Sequence, residues 1–228
     1  MKKIYNILSV ITVSFSLLFL SGCDLEEHPM SDLSPVGFYD TQKGIESLIN
    51  GIYQSARDLD ALSDNLRKMN ALGTDTEEAA EGNRGNSMNW YGHTASEGTL
   101  NNAWNSLYAL VNFCNYATKY IPIAEGMSDD DRKVREAEAR FFRAYSYYHL
   151  TMHFGDVHFS LEASEGAATE AYRTPLATIW DEGIYPDLRF AAANLPPKAQ
   201  NGRLTSWAGK FLLGFALLSD PRGTTTQW

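Results

Sequence analysis

The chain has little cysteine and few basic residues. Of its 228 residues only Cys23 and Cys114 are cysteines, and 19 lysines and arginines stand against 28 acidic residues, which gives a formal net charge of −9. This balance argues against a nucleic-acid partner, because phosphate binding needs clustered lysine and arginine. The sequence also has no glycine-rich phosphate loop, no G-x-S-x-G elbow and no long alternation of apolar and polar residues. These absences leave helical periodicity as the main structural signal.

The first residues have the organisation of an export signal. Two lysines precede an apolar run, Ile7 to Leu20, that is short for a membrane span, and Leu20-Ser21-Gly22-Cys23 follows. This ending resembles a bacterial lipobox, in which the cysteine becomes the lipidated mature N-terminus. We therefore expect a lipoprotein signal peptide over residues 1–22, lipid attachment at Cys23 and a lipidated tether over residues 23–33. The alternative is an ordinary secretory signal with an incidental cysteine.

Cys114 is then the one cysteine left for the folded part, so no disulfide can form within the mature chain. It lies in a predicted helix and is expected to be a small buried hydrophobe rather than a nucleophile. A hydrophobic content of 44% over this length is enough for a single domain with a substantial core.

Five stretches have the apolar spacing of amphipathic helices. They begin after Thr41, near Leu100, at Ser128, after Thr174-Pro175 and after Thr205, which is expected to cap the last of them. Gly44 and Gly51 are each expected to cost the first helix about 1 kcal/mol relative to alanine. Pro186 is expected to kink the fourth helix, because proline cannot donate the backbone hydrogen bond.

The strongest helix prediction covers Ser128 to Phe154. Ser128 with Asp131 resembles a capping box, three aspartates occupy the positive end of the helix dipole, and Gly155 ends the helix. Its aromatic residues require neighbours on more than one flank. Its Glu136 and Glu138, like the chain's other neighbouring carboxylates, are expected on solvated faces rather than across a catalytic cleft.

A pair of histidines on this helix raises the question of a metal site. His149-x-x-x-His153 places two imidazoles on one face, and Asp156 or His158 is a conceivable third ligand. The sequence HLTMH lacks the glutamate of H-E-x-x-H that a metalloprotease needs. We therefore expect polar or partly buried histidines at a helix end, with no metal and no cofactor.

A long irregular stretch follows Gly73 and continues to the next helix. Within it, Arg84, Asn89, Trp90 and Tyr91 combine planar hydrogen-bonding groups with aromatic faces, which are the side chains that sugar binding needs. Long loops inside domains are typically functional or disordered. These four residues are the candidate glycan-binding residues. The alternative is that Trp90 and Tyr91 pack on the core and anchor the loop.

In this order and spacing, several pieces resemble the N-terminal half of the SusD/RagB family of outer-membrane glycan-binding lipoproteins. The pieces are the lipobox, residues 44–53, Leu72-Gly73-Thr74-Asp75, residues 136–145 with Phe154-Gly155-Asp156-Val157, Asp187-Leu188 with Leu195-Pro196, and Gly202-Arg203-Leu204-Thr205. The resemblance implies an all-α fold of antiparallel, tetratricopeptide-like helix pairs over residues 34–218, preceded by the lipoprotein signal peptide.

The same resemblance implies a non-enzymatic function. The protein would sit at the outer membrane, lipid-anchored and facing the exterior, and would pass captured oligosaccharide or polysaccharide to a TonB-dependent, SusC-like transporter. The acidic residues after Cys23 resemble export signals of surface lipoproteins in Bacteroidetes, although acidic residues in a tether are the simpler explanation. The other hypotheses are a helical protein-interaction lipoprotein without sugar binding and, third, a metal-dependent hydrolase.

The chain departs from that family in length, because family members continue for a second half. Residues 219–228 have no apolar pattern and are expected to be an irregular tail left by truncation. The helices are then expected to expose apolar faces that the other half covers, and the chain alone is not expected to fold well or to bind sugar.

Overall fold

The computed structural model describes residues 35–59, 65–77, 92–164, 170–199 and 202–223, all within a compact unit that spans Pro35–Trp228. Their regular structure is helical, with isolated β-bridges that join Thr41 to Glu125 and Val157 to Thr174. The helices are α1 (Pro35–Phe38), α2 (Gln42–Arg57), α3 (Asn65–Ala71), α4 (Gly98–Tyr120), α5 (Asp129–Phe154), α6 (Leu176–Thr178), α7 (Tyr185–Asn194) and α8 (Ser206–Ser219). A 3₁₀ turn (Ile121–Ile123) follows α4, and a π-helical turn (Ile179–Ile184) joins α6 to α7. The all-α prediction is confirmed.

Helices that are adjacent in sequence pack together. α4 packs against α5 and α7 against α8, while α2 lies against both α4 and α5, and α3 lies against α4. α5 also contacts α7, which joins the two pairs into one core. The predicted arrangement in helix pairs is therefore confirmed, with α5 at its centre.

Local sequence determines where α5 begins and ends. The Ser128 hydroxyl accepts a hydrogen bond from the Asp131 N–H at 3.1 Å and donates one to the Asp131 carboxylate at 2.7 Å. Gly155 has φ +71°, a conformation that favours glycine, and ends the helix. The middle of α5 is buried on several sides, whereas Met152 near its end is 41% exposed. Glu138, predicted on a solvated face, is 1% exposed, so that prediction is wrong for this residue.

The start of α2 explains why Gly44 is glycine. The helix begins after Thr41, as predicted, and the Thr41 hydroxyl caps it by accepting from the Gly44 N–H at 3.1 Å. A Cβ at Gly44 would lie 1.8 Å from the carbonyl oxygen of Phe38, because the chain folds back at the end of α1. Gly44 thus permits a close backbone approach, whereas a Cβ at Gly51 would meet nothing within 4 Å.

The helix that contains Pro186 adapts by a change of hydrogen-bond pattern. In the π-helical turn before it, the N–H of Tyr185 donates to the carbonyl of Trp180, five residues earlier. Pro186 then occupies the first turn of α7, where its missing N–H costs little. The irregularity expected at Pro186 is therefore present as a π-helical turn on the N-terminal side of the proline. Gly183 in that turn faces the ring of Phe159.

The last helix and the residues after it differ from their predictions. Thr205 occupies the cap position of α8, but its side chain makes no capping hydrogen bond. α8 buries Gly209, Leu212 and Ala216 and leaves a row of large apolar residues exposed on its other side. Beyond α8, Asp220 is buried and accepts a hydrogen bond from the Tyr185 hydroxyl at 2.7 Å, so the start of the tail is anchored.

Within the described ranges, none of the helices combines the length and apolarity needed to cross a bilayer.

The two glycines of α2 provide a matched test of the packing at its start. We expect Gly44→Ala to lower the free energy of unfolding by at least about 1–3 kcal/mol, because the added methyl group meets backbone that cannot move aside. Gly51→Ala should raise it by about 0.5–1 kcal/mol through helix propensity alone. Urea unfolding followed by circular dichroism measures both changes. Equal effects of the same sign would contradict the structure at Gly44.

Candidate functional site

The residues predicted to bind glycan or lipid lie outside the described residues. Arg84, Asn89, Trp90 and Tyr91 belong to residues 78–91, and Cys23 belongs to residues 1–34. Their assignments therefore stay predictions. The described residues on either side of the loop show the framework from which it departs.

Both ends of the loop leave from the edge of the fold formed by α3 and α4. On the α3 side, Gly73 has φ +83°, and the Thr74 hydroxyl donates to the carbonyl of Ala71 at 2.7 Å. Arg67 of α3 forms an ion pair with Glu77, the last described residue before the loop. On the other side a turn closed by the N–H of Glu97 and the carbonyl of Thr94 at 3.0 Å leads into α4. Local hydrogen bonds thus define both stems of the loop.

Two adjoining clefts lie where the segment of residues 158–164 crosses α4. Their volumes are about 490 Å³ and 400 Å³, within the range of small-molecule sites. Asn115, Glu162 and Ala163 contribute to both. The remaining lining side chains are mostly polar or tyrosine and include Tyr108, Asn112, Thr118, Lys119, Tyr147, His158, Ser160 and Ser164. Within the described residues, this is a concave surface with the side-chain types that sugar hydroxyls require.

Tyrosine hydroxyls hold the 158–164 segment against the helices. Tyr108 donates to the carbonyl of His158, Tyr147 to that of Ser160 and Tyr116 to that of Ser164, each at 2.8 Å. Burial raises the pKa of Tyr147 to about 12, and burial also raises the pKa of Tyr108. Both hydroxyls therefore remain protonated donors at any physiological pH.

Asn115 links this segment to a buried ion pair. Its amide nitrogen donates to the carbonyls of Ser160 and Glu162 at 3.1 and 3.0 Å, and its carbonyl oxygen accepts from the Arg143 guanidinium at 2.9 Å. Arg143 of α5 in turn donates to both carboxylate oxygens of Asp187 of α7, at 2.7 and 2.9 Å. Arg143 and Asp187 are 4% and 3% exposed. The floor of the clefts is thus built by a network across α4, α5 and α7.

A second network surrounds Glu138 of α5. Its carboxylate accepts from the hydroxyl of Tyr53 at 2.8 Å and from the guanidinium groups of Arg135 and Arg203 at 2.8 and 3.2 Å. The Tyr53 hydroxyl also accepts from the N–H of Leu204 at 2.8 Å. Through these hydrogen bonds Arg203 and Leu204, which precede α8, are held against α2 and α5. It also accounts for a carboxylate being tolerated in the core, since a buried charge requires hydrogen-bonded partners.

These networks use the residues that carry the family resemblance. Tyr53, Glu138, Arg143, Asp187 and Arg203 all lie in the quoted segments, and in the structure each of them bonds to another part of the fold. Sequence reasoning missed the cleft itself. The available signal was Asn115, a polar residue at an apolar position of the α4 pattern, which required polar partners in the core.

The histidine pair lies at the C-terminal end of α5. The rings of His149 and His153 are stacked with centroids 6.1 Å apart. The structure places Asp156 elsewhere, since its carboxylate accepts from the N–H of Leu176 at 2.9 Å, and His158 lines a cleft. Among the described residues, no three His, Cys, Asp or Glu side chains cluster as metal ligands. Burial, followed by repulsion from His153, lowers the pKa of His149 to about 4.

Cys114 is fully buried, as predicted. Burial raises its pKa well above the ordinary value for a thiol. The thiolate is therefore disfavoured, and the residue acts as a small hydrophobe in the α4 core.

Comparison with known proteins gives consistent matches in sequence. A family profile described as SusD-like, starch-binding and associating with the outer membrane matches residues 25–213. SusD-like protein P2 of Formosa agariphila is 32% identical over 194 residues, which are 82% of this chain and 38% of the relative. A SusD-like protein of Bacteroides ovatus is 30% identical over 130 residues, which are 55% of this chain and 23% of the relative. The chain thus spans less than half the length of the curated relatives it matches.

Solved structures show the same fold. A SusD superfamily protein from Parabacteroides distasonis has a TM-score of 0.65 and 25% identity over 77% of this chain and 39% of its own. A structure solved with a xylogluco-oligosaccharide has a TM-score of 0.62 at 24% identity, over 76% of this chain and 34% of its own. A laminarin-binding SusD-like protein has a TM-score of 0.64 at 19% identity, over 78% of this chain and 40% of its own. At these identities the likeness to the latter two structures is one of fold.

Removal of one partner from the buried ion pair should be strongly destabilising. We expect Arg143→Met to lower the free energy of unfolding by about 3 kcal/mol, because it removes both hydrogen bonds to the buried Asp187 carboxylate and leaves only the Arg140 guanidinium, at 3.7 Å, as its counterion. Glu136→Gln breaks a more exposed pair with Arg140 of the same helix and should cost no more than about 0.5 kcal/mol. Chemical denaturation measures both. Equal losses of unfolding free energy in the two variants would contradict a larger contribution from the buried Arg143–Asp187 pair.

The partly buried His149 predicts a pH dependence of stability. His149 has a pKa of about 4 in the fold against 6.5 ordinarily, so between these values the unfolded chain takes up a proton that the folded chain does not. The free energy of unfolding should therefore fall as pH falls, by about 3 kcal/mol from this group between pH 6.5 and pH 4. His149→Gln should flatten the profile over that window in urea titrations at several pH values. The exposed His93→Gln serves as a control, and identical profiles for both variants would contradict the burial of His149.

Proposed function

We propose that this chain, which belongs to the SusD-like family, binds oligosaccharides or polysaccharides at the cell surface. It then passes them to a TonB-dependent, SusC-like transporter of the outer membrane. The family is described as starch-binding and associating with the outer membrane. The observation that carries the proposal is the match of this family profile to residues 25–213. The helical framework is also like that of a protein solved with a xylogluco-oligosaccharide and of one described as laminarin-binding.

The proposed binding surface is the irregular loop that departs from the α3–α4 edge. Arg84 and Asn89 offer planar hydrogen-bonding groups for sugar hydroxyls, and Trp90 and Tyr91 offer flat faces for stacking on sugar rings. Local hydrogen bonds and the Arg67–Glu77 ion pair order the stems of the loop, which supports a role in positioning. The competing interpretation, in which Trp90 and Tyr91 anchor the loop to the core, predicts no direct part in binding.

The proposed anchor is a lipid on Cys23. The lipobox-like sequence before it and the polar, acidic residues after it support a mature chain that begins with a lipidated cysteine and continues as a tether. We infer that the domain faces the exterior, where polysaccharide is available, and that it acts by capture and hand-over without catalysis.

A helical protein-interaction lipoprotein is the second candidate. It is favoured by the exposed apolar face of α8, which offers a contact surface without any sugar. Glycan binding without turnover separates the first proposal from this candidate and from an enzyme.

The loop assignment is tested by the double variant Trp90→Ala, Tyr91→Ala in the full-length protein, because the chain alone is not expected to bind sugar. Loss of two stacking faces at about 0.5–1.5 kcal/mol each should weaken binding by about 10-fold or more. Isothermal titration with laminarin, xyloglucan and starch oligosaccharides provides the measurement, and circular dichroism checks the fold.

Tyr172→Ala is the matched control, because Tyr172 is an aromatic residue that is 71% exposed elsewhere on the surface. It should leave binding unchanged. Unchanged affinity in the double variant would remove the loop from the proposed site, and turnover of any of these glycans by the wild-type protein would contradict the proposal of a non-enzymatic function.

A further inference from the structure

Two side chains that line the adjoining clefts on α4 have hydrogen-bonding groups that no described residue uses. The carboxylate of Glu162 accepts no hydrogen bond from the described part of the chain, and the amide nitrogen of Asn112 donates none to it. Both residues line the cleft of about 400 Å³, and Glu162 also lines the cleft of about 490 Å³. We call the two clefts together the α4 cleft. It brings a planar acceptor and a planar donor to one concave surface with their capacity unused.

The backbone that carries Glu162 is fixed, although its carboxylate is not engaged. The Glu162 N–H donates to the hydroxyl of Ser160 at 3.1 Å, and the Glu162 carbonyl accepts from the amide nitrogen of Asn115 at 3.0 Å. Ser160 is held twice by the Tyr147 hydroxyl, which accepts from the Ser160 N–H at 2.9 Å and donates to the Ser160 carbonyl at 2.8 Å. A ligand of the carboxylate therefore meets an ordered backbone, so less entropy is lost on binding.

The Asn112 side chain is oriented by a similar contact. Its carbonyl oxygen accepts from the backbone N–H of Ser164 at 3.0 Å, which leaves the amide nitrogen as the donor. One turn further along α4, the Tyr116 hydroxyl donates to the carbonyl of Ser164 at 2.8 Å. Two residues of α4 thus hold both backbone groups of Ser164, and the Asn112 donor lies beside this fixed segment.

The charge of the α4 cleft favours a neutral ligand. Among the described residues that line it, Lys119 and Glu162 carry formal charges, one of each sign. Recognition of phosphate, sulfate or carboxylate groups typically uses several lysine and arginine side chains. The lining does not offer such a cluster, and the chain as a whole has a net charge of −9.

A sugar matches the unused groups of the α4 cleft. A carboxylate accepts from two hydroxyls at once, and such charge-assisted hydrogen bonds are roughly twice as strong as neutral ones. An amide nitrogen donates to hydroxyl or ring oxygens. Tyr108 and Leu161 add apolar surface to the lining, on which the C–H side of a sugar ring can pack. The cleft therefore offers an acceptor, a donor and an apolar wall to one ligand.

We propose that the α4 cleft is a second sugar-binding subsite, which takes a short stretch of a neutral oligosaccharide through hydroxyls bound by Glu162 and Asn112. This subsite rests on the proposed function, because it assigns the same class of ligand to the protein. It adds a contact that the loop of residues 78–91 does not supply, and it restricts the ligand to uncharged glycans.

The α4 cleft is separate from the stem of that loop. α4 begins at Gly98, directly after the turn that closes the stem, and Asn112 lies 14 residues further along the helix. At 1.5 Å per residue this separation is about 21 Å. A polysaccharide is long enough to reach both places, whereas a disaccharide is not. Because two contacts on one ligand raise its apparent affinity, long glycans should bind more tightly than short ones.

Another protein segment is a less suitable occupant of the α4 cleft. An apolar segment packed there would bury the Glu162 carboxylate without a partner, which is strongly unfavourable. The polar groups around it are already committed, since Asn115, Tyr108 and Tyr147 bond to the backbone of residues 158–164. The occupant must therefore bring its own hydrogen-bonding groups, and a sugar carries them around its whole ring.

Cysteine labelling tests whether a glycan enters the α4 cleft. Ala163 contributes to both parts of the cleft, so Ala163→Cys in the full-length protein with Cys23→Ser should react with a water-soluble maleimide. A laminarin, xyloglucan or starch oligosaccharide that the protein binds should slow the reaction about 10-fold at about ten times its Kd. Labelling of the parent protein gives the background, to which the buried Cys114 should not contribute.

Ala177→Cys is the control for protection. Ala177 is exposed on α6 and does not line the α4 cleft. Its cysteine should react with the maleimide at the same rate with and without the oligosaccharide.

A matched pair of carboxylates tests the contribution of Glu162 to affinity. Glu162→Ala removes the unengaged carboxylate and keeps the backbone hydrogen bonds, so it should leave urea unfolding unchanged. It should weaken binding of a long oligosaccharide by about 10-fold in isothermal titration, because hydrogen bonds to a charged group are lost. Glu182→Ala removes an exposed carboxylate of the π-helical turn and should leave the affinity unchanged.

The outcomes separate this subsite from the function on which it rests. Glycan binding that is weakened by the loop double variant but is neither weakened by Glu162→Ala nor protective of Ala163→Cys would exclude the subsite and leave the proposed function intact. Absence of glycan binding in the wild-type full-length protein would overturn both. An Ala163→Cys variant that does not react with maleimide would show that the rest of the protein covers the α4 cleft, which would also exclude the subsite.

Discussion

The fold depends on two charged side chains of α5 that are removed from water. Burial of an unpaired Glu138 or Arg143 would cost several kcal/mol, so each element that packs on α5 at these points must supply a partner. Asp187 supplies it for Arg143, while Tyr53 and Arg203 supply it for Glu138. These partners come from α7, from α2 and from the chain before α8. The two charges thereby set how the outer helices lie on α5, whereas apolar contacts alone would tolerate several arrangements.

This constraint separates the framework from the proposed binding surface. The residues that identify the family build the networks around α5, and their side chains are directed to one another rather than to a ligand. Asn115 extends the Arg143 network to the 158–164 segment, and tyrosine hydroxyls of α4 and α5 hold that segment by its backbone carbonyls. Because those hydrogen bonds are made to backbone carbonyls, the side chains of the segment can vary without loss of the bonds that hold it against the helices. A loop that departs from such a frame can change in sequence while the helices stay as they are.

The two sides of α8 show a different balance. On its inner side Gly209 allows the helix to lie directly on the backbone of α7, and on its outer side Gly214 leaves a depression among exposed aromatic residues. Glycine thus permits a close helix contact at Gly209, whereas at Gly214 the space beside the backbone is open.

The sequence by itself determined the helices and their ends. Apolar spacing, the Ser128 cap and Gly155 are local signals, and the structure follows them closely. It also indicated the residue types for sugar binding, but where Arg84 and Trp90 lie relative to a ligand stays a prediction. Only the tertiary structure decided that Glu138 is buried, because burial depends on Tyr53, 85 residues earlier in the chain. The glycines of α2 and α8 show the same dependence on tertiary structure. Helix propensity assigns each of them the same cost, whereas the backbone or open space beside each one decides whether a larger residue can replace it.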